Sequence, residues 1–151
     1  MRGCPNDFGT NSWQILHRFV LINYKQQSMK FYIYTHNGAW HVECFIEAFC
    51  VEEVANALVR AGATREAEAE CLANFHSGSK NGGFTFSNSE SRSSVVCTFN
   101  SESLPQLMDT ILHEAKRLER HISKADGTEP YGKRAGYLAG EIIQRAVETT
   151  V

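Results

Sequence analysis

The chain has 151 residues, of which 42% are hydrophobic and 21% charged, with a net charge of −2. This is the size and composition of one globular domain, and the charge gives no reason to expect a nucleic-acid partner, which usually needs a basic surface. No apolar run approaches the roughly 18 residues of a membrane span and no signal-peptide pattern occurs, so we expect a cytoplasmic protein without membrane association.

The first 28 residues differ in pattern from the rest. A turn-rich stretch is followed by an apolar segment without a clean period, and a clear strand then begins after Met29. A chain that started at Met29 would therefore keep an intact domain. We treat residues 1–28 as an N-terminal extension of undefined order and residues 29–151 as a single domain.

Four segments are predicted to be strands. Phe31–Thr35 and Trp40–Phe49 flank Asn37-Gly38, a strong hairpin signal. Phe84–Phe86 and Ser94–Phe99 are rich in aromatic and β-branched residues and are joined by a polar stretch. We therefore expect an antiparallel sheet made of two hairpins.

About four helices are predicted from apolar residues that recur every three or four positions. A capping box at Ser103, with Gln106 three residues on, begins the longest helix. Gly136 and Gly140, beside Ala135 and Ala139, form a strip of small residues that would let another helix approach closely. The predicted helices are Val51–Ala61, Arg65–Phe75, Ser103–Lys124 and Lys133–Glu148. The expected fold class is α+β, with the sheet packed against these helices.

On a helical wheel of the longest helix, one polar ridge lies away from the apolar stripe. The ridge consists of His113, Arg117 and His121, four residues apart, while Glu114 lies on its flank. The simplest interpretation is a solvated helix face. The alternative is a functional site, because His113-Glu114-Ala-Lys-Arg117 differs by one residue from H-E-x-x-H. In that motif two histidines bind zinc and the glutamate activates a water.

A wider stretch supports the second interpretation. It comprises Gly83–Asn88, Arg92–Val96, the helix with His113-Glu114, Pro130-Tyr-Gly132 and Gly136–Gly140. This sequence resembles a family of small zincin-like proteins from gut Bacteroidetes and their phages or mobile elements. The resemblance covers about residues 29–148. It implies a zincin-like fold and, in family members with the full motif, a zinc site.

Two departures from the family pattern change that expectation. Arg117 stands where the second histidine is expected, and Lys133-Arg134 stand where the family has an acidic pair. An arginine cannot lose its proton to become a ligand, and three cations repel a metal ion. His113 and His121 are about 12 Å apart along the helix axis, too far to share one ion. We therefore expect neither metal nor other cofactor, and a Glu114 that is vestigial as a catalytic base.

Three functional hypotheses remain. The first is a non-catalytic relative of a metallopeptidase that binds a protein or peptide partner in the former cleft, with Arg117 paired to Glu114. The second is a hydrolase with a rearranged zinc site of His113 and a carboxylate such as Glu129, with Glu114 as base. The third is a structural or assembly protein of a mobile element. The cleft residues under the first hypothesis are His113, Glu114, Arg117, His121, Lys133, Arg134 and Tyr137.

Overall fold

The structure, a computed structural model, describes residues 29–48 and 50–149, and this part of the chain has four strands and four helices. The strands are β1 (Met29–Thr35), β2 (Trp40–Ile46), β3 (Gly82–Asn88) and β4 (Ser93–Phe99). The helices are α1 (Val51–Arg60), α2 (Arg65–Ser77), α3 (Leu104–Asp126) and α4 (Gly132–Thr149). The predicted extension, residues 1–28, lies outside the described residues. Within the described ranges, no helix combines the length and the apolar character needed to cross a membrane.

The four strands form one mixed sheet in the order β1-β2-β4-β3. β1 pairs with β2 and β3 pairs with β4, both antiparallel, but β2 and β4 run parallel at the centre. The α+β class is confirmed, whereas the prediction of a fully antiparallel sheet is wrong at this central junction. Turn signals specify which strands are joined as hairpins. They do not specify the direction in which the chain returns after the two helices between β2 and β3.

Each face of the sheet carries its own hydrophobic core, because side chains alternate along a strand. Trp40, Val42, Cys44 and Ile46 of β2 face the core formed with α3 and α4. Phe45 faces the opposite way, into the core formed with α1 and α2. The sheet is therefore covered on one face by the C-terminal helices and on the other by α1 and α2.

Both ends of α3 are capped, and the N-terminal cap is the one that the sequence predicts. The Ser103 hydroxyl accepts a hydrogen bond from the Gln106 backbone N–H at 3.2 Å, which caps the first turn. Gly127 ends the helix in a left-handed conformation at φ +72°, which glycine adopts without steric cost. In the predicted strip of small residues on α4, the alanines and the glycines differ in their surroundings. A Cβ at Gly136 or Gly140 would meet nothing within 4 Å among the described residues, whereas Ala135 and Ala139 are buried.

Candidate functional site between α3 and β3

The edge strand β3 lies along one flank of α3 and contacts it through alternate side chains. The Thr85 hydroxyl donates to a carboxylate oxygen of Glu114 at 2.9 Å and lies 3.2 Å from the Glu114 carbonyl oxygen. Two residues further along β3, the Ser87 hydroxyl lies 2.7 Å from Nδ1 of His121. Residues 85 and 87 share one face of the strand, and residues 114 and 121 are about two helical turns apart. We name this site, with Arg117, the α3–β3 cleft.

Gly83 allows the strand to approach the helix so closely. A Cβ at this position would lie 2.9 Å from the Cys97 carbonyl oxygen, 3.0 Å from the Thr110 methyl group and 3.1 Å from a Glu114 carboxylate oxygen. These distances are shorter than ordinary van der Waals contacts. The absence of a side chain at residue 83 therefore sets the width of the cleft beside Glu114.

Glu114 is buried where α3 packs against β3, with 3% of its side chain exposed. Arg117 approaches from the next helical turn, and its guanidinium lies 3.8 Å from the oxygen that accepts from Thr85. A buried carboxylate is costly unless hydrogen bonds or opposite charge compensate it. Here the Thr85 hydroxyl and the Arg117 guanidinium supply that compensation. The pairing of Glu114 with Arg117 suggested by the sequence is present.

The residues in the cleft do not fit a zinc ion. His113 is exposed on the solvent side of α3, and the guanidinium of Arg117 occupies the neighbourhood where a second ligand would be needed. Arginine has five N–H donors and no lone pair for a metal. Among the described residues, no group of three or more His, Cys, Asp or Glu side chains is placed to hold a metal ion.

Arg134, which the sequence places in the cleft, instead binds a second buried glutamate. Its guanidinium lies 3.0 Å from Oε2 of Glu119, an oxygen that also accepts from the Tyr131 backbone N–H at 3.1 Å and the Ser123 hydroxyl at 2.9 Å. Glu119 follows Glu114 by five residues, which rotates it by about 140° around the helix. The two glutamates therefore face different neighbours, and Arg134 pairs with Glu119 and not with the residues of the α3–β3 cleft.

The other predicted site residues lie on the surface. Lys133 and Tyr137 are exposed on α4, and Tyr137 has 66% of its area accessible. Glu129 is exposed in the turn before α4, with no ion pair in the described part of the chain. The structure thus brings together Glu114, Arg117 and His121, while the α4 residues belong to a different part of the surface.

Glu119 is a buried charged residue outside the α3–β3 cleft that the sequence interpretation missed. Its second oxygen, Oε1, lies 3.6 Å from Nε2 of His36 in the turn between β1 and β2. Neither of these buried atoms has a hydrogen-bond partner in the described residues. The only signal in the sequence was the position of Glu119 on α3, four residues before Ser123. Its partners come from distant turns that periodicity does not bring together.

His121 is held by a chain of hydroxyl groups that reaches the core. The Trp40 Nε1–H donates to the Ser94 hydroxyl at 2.9 Å, and that hydroxyl lies 2.7 Å from the Ser87 hydroxyl beside His121. Burial lowers the pKa of His121, and the nearby cations Arg120, Arg117 and Lys124 lower it further. The imidazole is therefore favoured in its neutral form, which suits hydrogen bonding to Ser87.

Acid should destabilise the fold before its carboxylates titrate. Burial lowers the pKa of His36 as well as that of His121, and the attraction of Glu119 opposes this only in part. A folded-state pKa below the unfolded value of 6.5 means that the unfolded chain binds more protons. The stability contributed by the neutral histidines is therefore complete above pH 6.5 and is lost as the pH falls through their folded pKa values.

Urea unfolding at pH 7.5 and 5.5 tests this expectation. The free energy of unfolding should fall between these pH values, and His36→Asn with His121→Asn should reduce the fall. Asparagine suits residue 36 because its backbone has φ +56°, which asparagine tolerates. His76→Asn is the matched control, because His76 is exposed. An equal fall in the double variant and in wild type would contradict the assignment.

The buried thiols are poor candidates for nucleophiles. Burial raises the pKa of Cys71 to about 11 and raises that of Cys97 well above its usual range. A thiol that stays protonated at neutral pH is a weak nucleophile and a weak metal ligand. Cys97 is fully buried in the core against α1 and α2.

No family model, curated protein or solved structure matches this chain. The resemblance to zincin-like proteins therefore rests on the sequence motifs alone and stays a prediction.

Proposed function

We propose that this chain is a non-catalytic, metal-free zincin-like domain that binds an extended, acidic segment of a partner protein in the α3–β3 cleft. The observation that carries the proposal is the state of Glu114. Its carboxylate accepts the Thr85 hydroxyl hydrogen and faces the Arg117 guanidinium. The carboxylate that would act as base in the H-E-x-x-H motif is thus already paired with two side chains of this chain.

The chemistry of that carboxylate supports a loss of catalysis. A metallopeptidase glutamate must face a metal-bound water in order to take its proton. Glu114 instead shares one oxygen between a hydroxyl donor and a guanidinium, and only 3% of its side chain is exposed. Its charge is balanced without a metal. Under this proposal Arg117 is the replacement for the dication, and the cleft keeps its shape through the contacts with β3.

The position of β3 supports the binding of an extended segment. The strand is at one end of the sheet order, and no strand of the described chain pairs with its outer edge. All its residues except Phe84 are at least partly exposed. An extended peptide can add to such an edge through main-chain hydrogen bonds, and side-chain pockets then supply specificity. The edge runs directly beside the cleft.

The charge of α3 supports an acidic partner. The outer side of the helix carries four cations, Lys116, Arg117, Arg120 and Lys124, which we call the basic face. Only Arg117 of this face has an ion pair in the described residues, with the buried Glu114. Complementary charge across an interface speeds encounter and excludes partners of the wrong sign.

Metal analysis of the purified chain tests the metal-free half of the proposal. We expect substoichiometric zinc after incubation with the ion and dialysis, because Arg117 offers no lone pair and Glu114 is already satisfied. His113→Ala serves as the comparison and should leave the trace zinc content unchanged. One zinc per chain that disappears in His113→Ala would reject the proposal in favour of a hydrolase with a rearranged site.

Selection from a random peptide display library tests the binding half. We expect enrichment of extended, acidic peptides on the wild-type chain. The double variant Arg120→Glu, Lys124→Glu should bind the selected peptides at least about tenfold more weakly, since like charges across an interface cost several kcal/mol. Both residues are exposed, so the fold should be unaffected.

Arg65→Glu is the matched control for these charge reversals. Arg65 is an exposed cation at the start of α2, without an ion pair among the described residues, and its reversal should leave peptide affinity unchanged. Failure to enrich any acidic peptide would reject the proposed partner chemistry. Equal loss of affinity in the Arg65 variant would show that overall charge, not the α3–β3 cleft, governs binding.

A further inference from the structure

A second site lies on the other face of the sheet, where α1 covers β4 but leaves part of β1 and β2 open. It is a cavity of about 190 Å³ at the C-terminal end of α1. Strand register builds its floor: Tyr32 lies opposite Glu43, which lies opposite Val95. Two residues before Glu43 and Val95 on the same strands, His41 lies beside Ser93. The wall of the cavity is formed by Ala57, Arg60 and Ala61.

Three rings stand side by side, and two of them line this cavity. His41 is stacked between Tyr32 and Tyr34, with both centroid distances at 5.1 Å and interplanar angles of 16° and 28°. Tyr32 and His41 line the cavity, and Tyr32 is 44% exposed. When the last ring of a stack is accessible, another flat ring can stack on its free face.

The polar groups of the cavity form a donor and acceptor pair. The Arg60 guanidinium donates to Oε2 of Glu43 at 2.8 Å, and the Glu43 side chain is only 7% exposed. Oε1 of Glu43 accepts no hydrogen bond from the described residues. Arg60 is 56% exposed and keeps further N–H donors. The cavity therefore presents a buried acceptor beside an exposed donor, and the pair is neutral as a whole.

We propose that this cavity, which we call the ring cavity after the rings of Tyr32 and His41, binds a neutral planar heterocycle. The ligand would have an adjacent N–H and C=O, the lactam edge found in hypoxanthine and guanine. The ring N–H would donate to Oε1 of Glu43, and the ring carbonyl would accept from Arg60. The ring face would extend the stack at Tyr32. A cavity of about 190 Å³ is below the usual size of drug-like pockets and suits one fused ring system. A net-neutral ligand fits best, because Glu43 repels anions and Arg60 repels cations.

Titration of the full chain with inosine, followed by ligand-observed NMR, tests this inference. Adenosine is the comparison, because the same edge of its base has the donor and the acceptor exchanged. We expect saturable binding of inosine and at least about tenfold weaker binding of adenosine, since a mismatched edge leaves the polar groups of the cavity unpaired. Absence of inosine binding, or equal binding of both nucleosides, would overturn the proposal.

Two substitutions locate the binding. Tyr32→Ala should lower the affinity for inosine roughly tenfold because stacking is lost, and Glu43→Gln should lower that affinity by a similar factor. Tyr137→Ala and Glu52→Gln are the matched controls, since both residues are exposed and lie outside the cavity. Tyr32 is on the surface, so its variant remains informative even where Glu43→Gln impairs folding. Unchanged inosine affinity in Tyr32→Ala would place the ligand elsewhere and reject the site.

Discussion

Replacing Glu119 by alanine should cost about 2–4 kcal/mol in the free energy of unfolding. One carboxylate oxygen of this residue accepts from the Ser123 hydroxyl, the Tyr131 backbone N–H and the Arg134 guanidinium. Alanine would leave the Ser123 and Tyr131 donors without their acceptor. Arg134 is 41% exposed and can be rehydrated. We therefore assign most of the lost stability to the other two donors and to the void that the shorter alanine side chain leaves.

Urea unfolding at pH 7.5 measures this loss. Glu119→Gln keeps the shape and one acceptor oxygen, and should therefore lose less than Glu119→Ala. Asp109→Ala is the control, because it removes an exposed carboxylate from the same helix and should change stability by no more than about 0.5 kcal/mol. A loss at Glu119→Ala no larger than that of the control would show that the bonds to Glu119 do not hold α4 against α3.

A methyl group at residue 83 should both destabilise the fold and open the α3–β3 cleft. The added Cβ of Gly83→Ala would lie 2.9 Å from a backbone oxygen of β4, which cannot move without disturbing the sheet. Overpacking of this kind costs about 1–3 kcal/mol. The strand would have to retreat from α3, so the Thr85 bond to Glu114 should weaken at the same time.

Gly136→Ala is the matched control for this substitution. The same methyl group there meets nothing within 4 Å among the described residues, and alanine favours a helix by roughly 0.5–1 kcal/mol over glycine. The two variants should therefore change the unfolding free energy in opposite directions. Stabilisation by Gly83→Ala would show that β3 does not approach α3 as closely as described. The affinity for the selected peptides should fall in Gly83→Ala and remain constant in Gly136→Ala.

The local elements follow from the sequence because their causes are local. Ser103 and Gly127 bound α3 through groups that lie within one turn of the helix ends. Asn37 and Gly38 have positive φ values between β1 and β2, as the hairpin signal predicts. The parallel junction of β2 with β4 has no such local cause. It depends on how α1 and α2 cover the sheet, and the periodicity of a strand is the same for parallel and antiparallel neighbours.

The candidate site is predicted in part for the same reason. The helical wheel places Arg117 near Glu114, and that pair is present. The wheel leaves Glu114 on a flank, whereas the structure buries it because β3 covers that flank through Thr85. The family resemblance predicts Arg134 in the cleft. The structure instead gives it Glu119 as a partner, a contact between two helices that neither motif nor spacing specifies.

The parallel junction also has a consequence for how the chain folds. Each hairpin joins residues that are close in sequence, but His41 of β2 meets Ser93 of β4 across about 50 residues of chain. Closing a long loop costs entropy before its contacts form, so we expect the two hairpins to form early and their junction late. The α3–β3 cleft uses one continuous stretch and can assemble before that step. The ring cavity spans the junction, so inosine binding should recover only in the last phase of refolding.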